Sequence, residues 1–283
     1  MNRPLDVIIF GSGAIGGRIA AFALQEGQRV ALCSRNPGFK CMSSDDNLQL
    51  IPCDITIASD VNAVPKANII VIAVAPEHRD RTSYEHLYIQ GMNHIADYLK
   101  QSVPTRCVLV SSTGVWGSCN GEWVTEDSKS CPEKGNWRQK ILLEAENIIA
   151  GAANTIVLRS GGIYGQGRHP LKRIKEGTVS WNDVNQYINL IHESDLVQCI
   201  AYAMLGKLSM GVFIAVDDEP VLRRDYLTFL RERVNPNLKI PSTRQISASG
   251  KRCSNQKLKD SGFCFQYPNF RVGYAQILKA EGL

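Results

Sequence analysis

One turn, Gly11-Ser12-Gly13-Ala14-Ile15-Gly16, constrains this chain more than any other feature, because of what stands on either side of it. Leu5–Phe10 before it is an apolar run of strand length, and Ala14–Gln25 after it has helical periodicity closed by Gly27. A strand passing through spaced glycines straight into a helix opens a βαβ unit. The first glycine permits the tight turn, the second lets phosphates approach the backbone, and the third lets helix and strand pack closely. Amides released at the helix start attract anions. The turn is therefore read as a pyrophosphate cradle for a dinucleotide, formed by Gly11, Ser12, Gly13, Ala14, Ile15 and Gly16.

Beyond the first helix the alternation continues. Val30–Ser34, Leu48–Cys53, Asn68–Val74, Arg106–Ser111 and Asn154–Leu158 are further strand candidates. Tyr88–Lys100 and Trp137–Ile149 are helix candidates, the second with Trp137, Ile141, Ala145 and Ile148 along one side. Asn68–Val74 is apolar throughout, as in a parallel strand buried on both faces. The expected fold is α/β, a Rossmann-like doubly wound parallel sheet with a small C-terminal substrate lobe. Residues 1–165 are assigned to the dinucleotide-binding domain and 166–283 to the smaller lobe, interleaved with the sheet. In that lobe a basic helix follows Pro170, with a strand at Tyr187–Ile191, a helix at Ser194–Leu205, a strand at Gly211–Val216 and a helix at Asp225–Val234. Leu258–Lys279 reads as short elements mixed with loops.

The second strand ends Cys33-Ser34-Arg35, where an NAD-selective site usually has an acid for the ribose hydroxyls. Arg35 offers instead a planar fork for a 2′-phosphate. NADP is the expected cofactor, with NAD as second choice. Ala73, Val74 and Ala75 end the fourth strand with side chains small enough for close approach by that cofactor.

The net charge of +5 comes from 32 basic and 27 acidic residues and is scattered, which points to neither nucleic acid nor a membrane surface as partner. The nine cysteines contain no Cys-x-x-Cys pair, so no metal site and no disulfide framework is expected. Cys107 and Cys199 fall in apolar strand and helix readings and are taken as packing residues. With no signal-like start and no long apolar run, the chain reads as cytoplasmic.

Three later segments carry a resemblance. Val110-Ser111-Ser112-Thr113-Gly114-Val115-Trp116-Gly117 resembles the Ser-Ser-x-x-Val-Tyr-Gly stretch of extended short-chain dehydrogenases/reductases. Leu158–Arg168 is similar to their Leu-Arg…Val-Tyr-Gly-Pro-Gly segment, and Ile191–Val197 to their Ile-His-x-x-Asp-Leu-Val. With the glycine turn these occur in family order across about two hundred residues, and the chain resembles an atypical member of the NAD-dependent epimerase/dehydratase type.

The resemblance implies an oxidoreductase or epimerase-like enzyme acting on a sugar nucleotide or another hydroxy or keto compound. Such enzymes use a Ser or Thr, a Tyr, and a Lys four residues after the Tyr. Ser112 matches the serine, and Lys140, judged by Leu142, Leu143 and Glu144 after it, matches the lysine that holds the nicotinamide ribose. The tyrosine position is then Asn136, whose amide does not titrate usefully. Three accounts stay open: another proton donor (Tyr164, His169 or His192), a reaction needing no strong acid, or a redox-inactive NADP-binding sensor or regulator. The resemblance further implies that Asp54 contacts the adenine and that Ser111 and Thr113 share the work of Ser112. Thr113, Asn136, Arg168, His169 and His192 are the expected substrate contacts, Arg168 and His169 for an anionic group. It also leaves a homodimer through Tyr88–Lys100 and Trp137–Ile149 as an option.

Overall fold

The computed structural model describes residues 4–36, 45–130, 136–240 and 248–283. Seven strands form one sheet, in the order Gly211–Ala215, Thr155–Ser160, Arg106–Ser112, Ala67–Ile72, Leu5–Phe10, Val30–Ser34, Leu48–Pro52. The pairs that flank the first strand are parallel, with Phe10 level with Cys33 on one side and Ile72 on the other. This is the Rossmann-like α/β fold. The first strand shows why the sheet forms: Val7 to Phe10 are fully buried, as both faces of a parallel sheet are covered. Asp6 is the polar exception, and its carboxylate accepts from the Arg29 amide at 2.8 Å.

Two compact units share the chain. The first comprises Met1–Val115, Pro132–Arg159 and Val197–Phe213; the second comprises Trp116–Cys131, Ser160–Leu196 and Ile214–Leu283. The core of the first unit gathers strand residues such as Ile8, Phe10 and Ile70 with Met92, Ile95 and Leu99 from the helix Met92–Ser102. That helix begins later than its periodicity suggests. Arg81–Glu85 is a short α-helix, and His86–Gly91 is wound as a π-helix. At Gly91 the turn passes so close to Ile55 that a Cβ would lie 2.8 Å from its Cγ1.

The second unit has its own core, in which Tyr164, Leu171, Ile174, Tyr226, Leu230, Phe270 and Tyr274 are buried together. The expected strand at Tyr187–Ile191 is two short ones, Gln186–Ile188 and Leu190–His192. Leu190–His192 pairs in parallel with Gly162–Tyr164, which places His192 level with Tyr164. Phe270–Ala280, within the stretch read as mixed, is a regular helix capped by Asn269, whose side chain accepts from the Arg271 and Val272 amides. Seven of the nine cysteines are described, five of them buried; Cys41 and Cys131 lie outside the described residues. No helix among the described residues is long and apolar enough to cross a membrane, and no three His, Cys, Asp or Glu among them gather as metal ligands would.

Candidate functional site

In the first unit the glycine turn opens onto a cavity of about 490 Å³. Gly11, Ser12 and Gly13 line it together with Ser34, Arg35, Asp54, Ala73, Val74 and Ala75. Nine of the expected cofactor residues therefore share one cavity. Ala14, Ile15 and Gly16 form the first turn of the helix behind it.

Each glycine of the turn has a separate physical reason. Gly11 stands at φ +108°, where L side chains are strained, and a Cβ there would overlap the Ala73 carbonyl. A Cβ on Gly16 would overlap the Gly11 carbonyl. Gly13 is different: its backbone is extended, and beyond its chain neighbours no atom of the described residues lies within 4 Å of where a Cβ would be. The fold itself thus gives no reason for a glycine at Gly13, whereas a bound group close to the backbone does. No side chain caps this helix, and its first amides have no intrahelical acceptor.

The rest of the cavity is held by local contacts. Gly11 donates to the Cys33 carbonyl at 2.8 Å, and the Ala73 amide donates to Phe10 at 2.9 Å. Ser12 Oγ donates to Ser34 Oγ at 2.8 Å, which ties the turn to the end of the second strand. Asp54 closes an Asx-type turn by accepting from the amide and hydroxyl of Thr56 at 2.9 and 2.8 Å. Cys33 and Cys53 line the cavity too, and burial pushes both thiols up, Cys53 to about 11, away from the thiolate form. Among the cavity residues that were not anticipated, one carries a charge opposite to that of Arg35. Glu77, just past the fourth strand, pairs with Arg35 Nη1 at 3.0 Å. Nothing in the sequence pairs two residues 42 apart; the strand order does.

At the end of the fifth strand, Ser112 Oγ accepts from the Gly114 amide at 3.0 Å, and Thr113 is buried at the start of a 3₁₀ turn. Ser111 Oγ donates to Glu146, which also holds Arg159 through a 2.7 Å ion pair. This trio, with its ion pair buried, fixes the rotation of the helix Trp137–Ala150. Glu146 faces Ser111, and Leu142, one turn earlier, lies beside Gly114, where a Cβ would be 3.5 Å from its Cδ1. Arg138, one turn earlier again, donates to the Arg79 carbonyl at 2.6 Å. The face turned to the strand end is therefore that of Leu142 and Glu146, displaced by two residues from Lys140 and Glu144.

Lys140 is exposed and lines a second cavity of about 460 Å³, with Arg81, Glu85, Trp137 and Glu144 among its neighbours. Asn136 is the helix N-cap. Its Oδ1 accepts from the Arg138 and Gln139 amides at 3.0 and 3.3 Å, the usual task of Asn at a helix start.

The remaining candidates lie in the second unit. Tyr164 is 2% exposed, stacks on Tyr274 at 5.1 Å and packs against Gly273. Burial, then Asp217 and Asp195, raise its pKa, the opposite of what proton transfer near neutral pH asks. His192 is buried, and its Nδ1 accepts from the Ser194 amide at 3.2 Å at the start of the helix Glu193–Met204. His169 has a side chain 9% exposed, with Glu281 3.5 Å from its Nε2. Arg168 is exposed on the loop before it. Asp195 accepts from the Gln266 and Tyr267 amides at 2.8 and 2.9 Å.

Asp217, which no motif in the sequence singles out, is 1% exposed, and its Oδ2 has no hydrogen-bond partner among the described residues. Burial raises its pKa from 3.8 to about 8, against the lowering effect of the Glu219 amide. The folded state therefore holds a proton that the unfolded chain releases. Its contribution is complete below about pH 4 and is lost as the pH rises toward about 8. Asp217→Asn is expected to melt higher than wild type by roughly 3 °C or more at about pH 8, with the gap closing toward about pH 4. A constant offset across thermal melts at these pH values would contradict this.

Such a fold and glycine turn define a Rossmann-like protein of the dinucleotide-binding type. Residues 7–210 match the NAD dependent epimerase/dehydratase family, and the chain belongs to that family. No curated protein matches the chain. Among solved structures it is similar to a Methylobacillus flagellatus protein described as an NAD-dependent epimerase/dehydratase, with 26% identity and a TM-score of 0.80 over 99% of this chain and 100% of that one. The human epimerase family protein SDR39U1, solved with NADPH, is 18% identical with a TM-score of 0.77 over 99% and 100%. The Bordetella bronchiseptica enzyme WbmG, solved with NAD, is 14% identical with a TM-score of 0.78 over 99% and 96%.

Proposed function

We propose that this chain binds NADP, with NAD as the second choice, in the cavity of the first unit, and acts as a reductase or epimerase-like enzyme. Its proposed substrate is a small hydroxy or keto compound, a sugar nucleotide among the candidates. The observation that carries the reading is the open space over Gly13, beside the uncapped first helix. Ser12, Ser34 and Arg35 supply a hydroxyl pair and a cation at the far end of the cavity. Relatives solved with NAD, NADPH, or NAD and UDP support the choice of ligand class. Bound there, the nicotinamide would supply hydride transfer. This chain's own share is to hold the pyrophosphate at the glycine turn and to orient a substrate oxygen with Ser112.

Calorimetric titration with both dinucleotides tests the reading. Wild type is expected to bind NADP more tightly. Arg35→Ala is expected to weaken NADP by about tenfold while leaving NAD within a factor of about two. Equal losses for both ligands would remove Arg35 from the account.

A second reading, a redox-inactive NADP sensor, is favoured by one observation. The helix face beside Ser112 presents Leu142, which has no proton to relay. Absorbance of NADPH with a panel of sugar nucleotides and ketones separates the two. Consumption supports the enzyme, and binding without consumption supports the sensor.

A further inference from the structure

The rim of the first cavity carries two opposite charges where one was expected. Arg35 ends the second strand and Glu77 follows the fourth, and they pair at 3.0 Å with side chains 59% and 62% exposed. Both line the cavity. The acid missing from the end of the second strand is thus delivered from another part of the sheet, onto the very arginine that would take a phosphate.

The two groups make opposite demands on a ribose. A 2′-phosphate is drawn to a guanidinium and repelled by a carboxylate, whereas a 2′-hydroxyl donates to a carboxylate and gains little from a cation. Glu77 engages Arg35 through Nη1 alone, so the fork keeps donors for a ligand, but the carboxylate neutralises part of its field. Ser34 is a neutral hydroxyl held by Ser12, so it adds no charge to tip the balance.

We propose that Glu77 sets the nucleotide selectivity of this cavity, by competing with a 2′-phosphate for Arg35 and narrowing the preference for phosphorylated ligands. This rests on the reading that the cavity holds a dinucleotide. It adds a residue that opposes the arginine, and it makes the selectivity depend on the pair.

The test uses two probes that lack the nicotinamide, adenosine 2′,5′-bisphosphate and adenosine 5′-monophosphate, titrated calorimetrically into the full chain at low salt. Glu77→Gln is expected to tighten the bisphosphate by roughly three- to fivefold, the scale an exposed ion pair supports, and to leave the monophosphate unchanged or weaker. The gain is expected to shrink at high salt and to vanish when Arg35→Ala is added. A Glu77→Gln variant that changes both probes alike, or whose gain persists without Arg35, overturns the proposal. If the wild-type chain binds both probes and Glu77→Gln is flat, this inference alone falls. If it binds neither probe, the dinucleotide reading falls with it.

Discussion

Glu146→Ala is expected to lower the stability of the protein by about 3–5 kcal/mol, the cost of removing one partner from a buried ion pair. Arg159 and Glu146 have side chains only 9% and 6% exposed, so water cannot replace the lost carboxylate. The guanidinium bonds it twice over, Nε to Oε1 at 3.1 Å and Nη2 to Oε2 at 2.7 Å. The Ser111 hydroxyl donates to the same Oε1, so that bond is lost as well. Glu146→Gln keeps the shape and an acceptor and is expected to lose less than half as much. Urea unfolding of the three proteins checks this. A loss below about 1 kcal/mol for Glu146→Ala would mean that the pair is open to water. The consequence reaches the site, because Ser111 precedes Ser112 and the trio sets which helix residues stand beside it.

The sheet was readable in the sequence for a physical reason. Strands buried on both faces carry apolar runs, and Val7–Phe10, Val30–Cys33 and Cys107–Val110 carry that mark inside three of the strands. The glycine turn was equally readable from its place between strand and helix, although only Gly16 answers to a neighbour within the turn, while Gly11 answers to the Ala73 carbonyl at the end of the fourth strand. The rotation of the helix Trp137–Ala150 was not. Glu144 and Glu146 are the same residue type two positions apart, and only Arg159, on a different element, decides which one is buried. Reading the register from Glu144 leads to Asn136 and Lys140, where the structure has a helix cap and an exposed lysine. The Arg35–Glu77 pair was hidden for a related reason, because it depends on which strands are neighbours. In the second unit the strands of two or three residues have no periodicity to detect, and Asp217 reveals itself only through its burial.

The largest expected effect on binding comes from one added methyl group. Gly13 sits at φ −66° and ψ −174°, a conformation open to alanine, with empty space where the Cβ would go. Gly13→Ala should therefore fold normally, with stability within about 1 kcal/mol of wild type for a changed helix cap. What the methyl group would meet is the pyrophosphate of a bound dinucleotide, held there by the first amides of the helix. The same substitution at Gly16 would be uninformative, since it strikes the Gly11 carbonyl and disturbs the fold. The decisive measurement is calorimetric titration of NADP and NAD into wild type and Gly13→Ala, with thermal unfolding of both as control. The account predicts binding by wild type and a loss of about 100-fold or more in the variant at nearly unchanged melting temperature. Equal affinities in the two proteins, or no heat from wild type with either dinucleotide, would contradict it.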